Sequence, residues 1–223
     1  MGNRRIGVFA VVTLILTAFW LVLLAAGMAR GGPVATFDQA LATVTQSSVY
    51  RLGYLNAAAI VVAATLLFAG LSNYCRKTSH LWSVAGLLFV PAYATLNLIV
   101  YLSQVTVVPQ LVAIRSDPAH QAAADVALRL LLHARPGSAM AFFNSLAYAL
   151  LGIPSVLYGW LLRKQGGLLR WGGTLLALNG IACWIGAAGA LAGSALLANG
   201  TTLGGLFFLV ALAPLSVAFL RGD

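Results

Sequence analysis

Six long apolar stretches, roughly 6–28, 52–74, 81–103, 138–162, 172–194 and 202–220, punctuate the chain, and no Asp, Glu, Lys or Arg falls inside any of them. A helix needs about 20 mainly apolar residues to cross a bilayer. A backbone in hydrocarbon must also satisfy its own hydrogen bonds, which a helix does within itself. The pattern therefore predicts an all-α polytopic bundle of six transmembrane helices, one membrane domain over residues 1–223. The first stretch follows "MGNRR". It exceeds the about 7–15 apolar residues of a signal-peptide core and reads as a retained anchor.

The connections are unequal. About 23 residues separate spans one and two and about 34 separate spans three and four, on the same side of the bundle. Unstructured loops beyond about 12–15 residues are uncommon in compact domains, so both segments should carry structure. In "TFDQALATVTQ", Thr36 and Gln39 have the spacing of a capping box. In "SDPAHQAAADVALRLLLHARPG", Asp117 can cap, Pro118 suits the first helical position, and Pro136-Gly137 ends the helix. Asp125 and Arg129 stand as an i,i+4 pair, and Ala122, Val126, Leu130 and His133 lie near one face. Both segments read as outer interfacial helices. The 118–134 helix serves either as a lid over the bundle or as a spacer lying on the membrane.

Polar positions inside the spans are few and ordered. Tyr93, Asn97, Tyr101 and Gln104 recur at spacings of four, four and three, one face of the third span. Asn144, Tyr148, Ser155 and Tyr158 share a face of the fourth, and Asn56 lies near the corresponding end of the second. Counting depth at about 1.5 Å per residue, Asn97 and Asn144 fall in the same third of the membrane, and Tyr93 and Tyr148 near its middle. Two uses fit. Asparagines can knit helices together at about 0.6 kcal/mol per hydrogen bond. Alternatively Asn56, Tyr93, Asn97, Tyr101, Gln104, Asn144 and Tyr148 line a ligand cavity, since such sites are mostly apolar with a few convergent polar groups. Small residues follow in the fifth span, where Gly189 and Gly193 form a GxxxG pair suited to close helix packing or to a homo-oligomer. Pro91, Pro154 and Pro214 lie inside spans three, four and six, as kinks or as breaks around a site.

Composition narrows the class. With 61% hydrophobic and only 8% charged residues the chain is far from the about 25% charged content of soluble domains. The net charge of +9 sits in short clusters between spans, a topology signal and not a nucleic-acid surface. Arg4, Arg5, Arg76, Lys77, Arg163, Lys164, Arg170 and Arg221 fall on one side, against Arg30, Arg51, Arg115, Arg129 and Arg135 on the other. The positive-inside rule then puts both termini in the cytoplasm, in an inner cell membrane. Trp82, Trp160, Trp171 and Tyr74 fall at the same boundary, as an interfacial belt would. Arginine-rich, glutamate-free composition with abundant Ala, Leu and Gly suggests a bacterial source. Cys75 and Cys183 differ by roughly 18 Å in depth at about 1.5 Å per residue, too far for a disulfide or a shared metal.

Absences exclude much. No ionisable residue sits in a span core to relay protons, no lysine to hold retinal, and no histidine pair on facing spans to hold haem. GxSxG, HExxH and P-loop motifs are missing as well. No catalytic residue, metal or cofactor is expected. Acid–base groups gather only in the segment holding Arg115, Asp117, His120, Asp125, Arg129, His133 and Arg135. There they could act on lipid headgroups, contact anionic lipid, or simply face water.

The stretches "AYATLNLIVYLSQVTVVPQL", "FFNSLAYALLGIPSVLYGWLL" and "LRWGGTLLALNGIACWIG" resemble a family of small six-span bacterial membrane proteins known only as a domain of unknown function. That resemblance implies the fold and transfers no catalytic residue. In span count and size alone the chain is also similar to the substrate-binding subunits of energy-coupling-factor vitamin importers, which hold ligand in the outer half. The expected function is non-enzymatic: a membrane protein, in contact with lipid, binding a neutral or amphipathic small molecule or a lipid in an outer-half cavity. The alternatives are an enzyme working on lipid headgroups through His120 and His133, and a structural or partner-binding protein without ligand.

Overall fold

The computed structural model describes residues 2–31, 36–46, 48–135 and 137–222. Among these it is helical, in the order α1 (Asn3–Gly31), α2 (Phe37–Gln46), α3 (Ser48–Cys75), α4 (His80–Leu87), α5 (Val90–Ile114), α6 (Gln121–Leu131), α7 (Ala139–Arg163), α8 (Gly167–Leu191), α9 (Ala195–Ala198) and α10 (Gly200–Arg221). Six helical stretches are long and apolar enough to cross a membrane: Asn3–Gly27, Ser48–Cys75, His80–Ile114, Ala139–Arg163, Gly167–Leu191 and Ala195–Arg221. The expected all-α six-span architecture is present. Many large apolar side chains, among them Val22, Leu88, Trp171 and Leu206, face outward. In water that surface would aggregate; in lipid it is the solvent-compatible face.

α7, α8 and α10 form the tightest part of the bundle, and the reason is glycine. A Cβ on Gly159 would meet the Gly173 carbonyl at 2.5 Å, and one on Gly173 would meet that of Gly159 at 2.6 Å. Gly152 and Gly180 oppose each other in the same way about two turns further along. Across the next seam Gly186 lies against Gly200 and Thr201, and Gly204 against Cys183 and Asn179. Small residues let backbones approach where no hydrophobic effect drives association. Gly189 packs on Leu197 and Ala198 of the same chain, while Gly193, at φ +67, turns the chain after α8.

Three local readings need correction. The third span does not end near residue 103; its helix runs through Pro109 to Ile114 because Val108 is fully buried against Leu128 and Leu132, and tertiary packing outweighs the lost backbone hydrogen bond. Pro91 falls at a break within the third span, at the start of α5 after a turn at Leu88 and Phe89. On α6 the buried face is Ala124 and Leu128, continued by Leu132, while Val126 and Leu130 point outward and Ala122 is exposed. The leucine-rich helix has apolar residues on both sides, and the Ala124–Leu128 side, continued by Leu132, packs into the core with Val108. Asp125 pairs with Arg115 and not with Arg129, whose guanidinium lies 4.4 Å over the Phe37 ring.

The Thr36–Gln39 capping box forms as expected: Thr36 N–H donates to Gln39 Oε1 at 3.0 Å and Gln39 N–H to Thr36 Oγ1 at 3.2 Å. Pro136, the anticipated stop, and the Arg30 side chain lie outside the described residues. α2, α6 and the end of α5 share a second small core of Ala40, Leu41, Val44, Tyr50, Val108, Leu128 and Leu132. The two connecting helices are thereby seated on the end of the bundle away from the termini.

Candidate functional site: a buried amide in a polar seam

All four residues of the α5 stripe are buried, Tyr93, Asn97, Tyr101 and Gln104 alike. Helical spacing puts them on one face, and that face turns inward. At the α6 end, Gln104 is a hub. Its Oε1 accepts from the Tyr50 hydroxyl at 3.0 Å and from the His133 backbone N–H at 3.1 Å. Its Nε2 donates to the Leu131 carbonyl at 2.9 Å and to Ser103 Oγ at 3.1 Å. One side chain thus ties α3, α5 and the chain just after α6. Replacing it with leucine removes its bonds to the Tyr50 hydroxyl and to the Leu131 and His133 backbone groups, at about 1–3 kcal/mol for each buried group left unsatisfied. For Gln104→Leu we expect a lower melting temperature and faster proteolysis within residues 115–135.

His133, grouped by spacing with Ala122, Val126 and Leu130, turns away from them and into the bundle. Its Nδ1 lies 3.0 Å from the Tyr54 hydroxyl, and its ring meets those of Tyr54 and Tyr101 edge-on. Burial disfavours the imidazolium and lowers the pKa to about 4. Above the unfolded value of about 6.5 histidine is neutral in both states and this contact carries its full stability. As pH falls from there towards about 4, the unfolded chain takes the proton first and stability is lost, by at most about 1.4 kcal/mol per pH unit. Thermal melts should show this slope in the wild type and a flatter one in His133→Gln.

One turn deeper, the Tyr101 hydroxyl donates to Asn144 Oδ1 at 2.9 Å and lies 3.0 Å from the Tyr148 hydroxyl. A phenol has one hydrogen. With Tyr101's committed to Asn144, Tyr148 donates to the Tyr101 oxygen. The remaining span-four positions are also bonded across helices. Asn179 Nδ2 donates to Ser155 Oγ at 3.0 Å and the Tyr158 hydroxyl to the Ser83 carbonyl at 3.0 Å. Asn56 serves elsewhere, donating to the Leu16 carbonyl of α1 at 2.9 Å.

Asn97 differs from all of these. It is fully buried, yet neither its Oδ1 nor its Nδ2 makes a hydrogen bond. The Tyr93 hydroxyl, one turn away on the same helix, lies beside the Asn97 amide without the geometry of a full hydrogen bond, and within electrostatic reach of Tyr148, Cys183 and Tyr101. The Tyr93 and Tyr148 rings stand 6.1 Å apart. The bare amide therefore lies in the interior on the α5 face that packs against α7. An unsatisfied buried polar group costs about 1–3 kcal/mol, and two such atoms on one side chain call for a partner.

The stripe thus brings Tyr93, Asn97, Tyr101, Asn144 and Tyr148 together, places Gln104 at the α6 end, and leaves Asn56 apart. Tyr50, Tyr54 and Cys183 also belong to the seam. Tyr50 fell just outside the expected second span, although its i,i+4 spacing to Tyr54 is legible. The outer acid–base collection does not converge. Arg115 pairs with Asp125, Asp117 with the exposed His120 at 2.8 Å, and His133 turns inward. The His120 contact and the Ala119 N–H hold the Asp117 carboxyl below the usual aspartate range. Among the described residues no group of three or more His, Cys, Asp or Glu is placed to hold a metal.

Fold and seam define an integral membrane protein of the multi-pass α-helical class, with a neutral polar interior. Comparison with known protein families, with curated proteins and with solved structures finds no match for this chain.

Proposed function

We propose that this protein binds a neutral or amphipathic small molecule, or a lipid, inside the half of the bundle that carries α2 and α6. The observation that supports this is Asn97, an amide buried with both polar atoms unpaired while Gln104, Asn144 and Asn179 all find partners. A purely structural asparagine would be bonded across helices as those are. The absence of charged residues in every span favours a ligand without net charge, because a buried charge needs a compensating partner. In this reading both termini face the cytoplasm and the α2 and α6 end faces outward, following the eight basic residues on the termini side against five on the other.

Organic extraction of the detergent-purified protein, followed by mass spectrometry, tests the ligand. A molecule carried by the wild type and lost from Asn97→Ala supports the site, whereas equal recovery from both removes it. Orientation is checked by labelling intact cells with an impermeant maleimide. Gln121→Cys should react and Gly222→Cys should not; the reverse pattern inverts the topology.

A further inference from the structure

We infer that the group recognised at Asn97 is a carboxamide, lactam, ureido or imide, a neutral unit presenting one hydrogen-bond donor beside one acceptor. This deepens the binding proposal above and rests on it. An asparagine side chain offers an acceptor oxygen and a donor NH2 on one carbon, and here both are free and fully buried. A ligand that only accepts, such as a quinone, ketone or ester, satisfies Nδ2 and leaves Oδ1 bare. One that only donates does the opposite. A single hydroxyl or water has one oxygen to serve both atoms, and its two bonds cannot both be straight, whereas hydrogen bonds prefer angles above about 150°. Two atoms of an amide-like edge meet both in parallel, as an Asn pairs with the edge of adenine.

The surroundings narrow the choice further. An ionised carboxylate has two acceptors and no donor, and no cation lies in a span core to balance its charge. The Tyr101 and Tyr148 hydroxyl hydrogens are already assigned, to Asn144 and to Tyr101, and are not open to a carboxylate or ester; the Tyr93 hydroxyl lies beside the Asn97 amide itself. The tilted Tyr93 and Tyr148 rings, 6.1 Å apart, add apolar surface suited to the remainder of an amphipathic molecule.

The test uses three probes of equal chain length, octanamide, methyl octanoate and 1-octanol, added to the full-length protein in mild detergent, with melting temperature as readout. Octanamide should raise the wild-type melting temperature by roughly 5 °C near saturation, and the ester and alcohol by much less. Neither Asn97→Leu nor Asn97→Ala should distinguish the three. Two variants guard against one that folds poorly. If the ester or alcohol matches octanamide in the wild type and both variants abolish the response, the amide inference falls while the Asn97 site stands. No shift with any probe also overturns the inference. A shift of equal size in wild type and variants overturns the binding proposal itself.

Discussion

Asn97→Leu is expected to raise the thermal stability of protein stripped of bound molecules. Wild-type Asn97 is buried with two unsatisfied polar atoms, each a desolvation loss of about 1–3 kcal/mol. Leucine keeps the γ-branched shape and removes the loss. At about 2–4 °C per kcal/mol for a chain of this size, the gain is readable in an ordinary melt. Asn144→Leu should move the opposite way, because it takes the acceptor from the Tyr101 hydroxyl and leaves that group buried and unpaired. Opposite signs for two asparagines at similar depth on facing helices separate a binding residue from a structural one. If both variants lose stability, Asn97 is holding the bundle together through a contact other than those described here.

The second large effect concerns the glycine seam. Gly180→Ala places a methyl against the Gly152 carbonyl and against Val156, at 2.8 Å from its Cγ2. Backbone cannot yield as a flexible side chain does, so α7 and α8 must separate. Overpacking costs typically about 1–3 kcal/mol and occasionally more, and this position should sit at the upper end. We expect a fall in melting temperature of at least about 6 °C at about 2–4 °C per kcal/mol. Gly205→Ala on α10 is the control. Nothing lies within 4 Å of its Cβ, and alanine is the better helix former by about 1 kcal/mol. It should hold or improve stability.

These two regions also show what the sequence could tell. Span number and the Thr36–Gln39 cap follow from local pattern, hydropathy over twenty residues and a four-residue motif, and both are present. The inward face of α5 follows from spacing alone. Where the outcome depended on which of two apolar faces found the larger partner, pattern misled: α6 buries Leu128 and shows Val126 and Leu130 outward. Hydropathy ends the third span near residue 103, but the burial of Val108 against Leu128 and Leu132 carries its helix through Pro109 to Ile114. Helical spacing groups His133 with Val126 and Leu130, but α6 ends at Leu131 and His133 turns inward to Tyr54. Depth matching could bring Tyr101, Asn144 and Tyr148 to one level. It could not say which of them bond, since that depends on the rotation of each helix about its axis. So the bonded state of Asn144 and the bare state of Asn97 were equivalent in the sequence and became different only in the fold.

The separation also bears on the lid. Gln104 and His133 anchor the chain after α6 to the same stripe that carries Asn97 two turns deeper. Access to the amide from the α6 end would then require those bonds to open. The slope of stability with pH and the proteolysis of Gln104→Leu report on that anchoring separately from ligand binding.

A high-resolution experimental density map of the protein, purified in lipid nanodiscs without detergent extraction of its ligand, tests the central claim most directly. The account predicts density beyond that of one water, within hydrogen-bond distance of both Asn97 Oδ1 and Nδ2. An Asn97 side chain rotated to bond a neighbouring residue, with no additional density beside it, would contradict it.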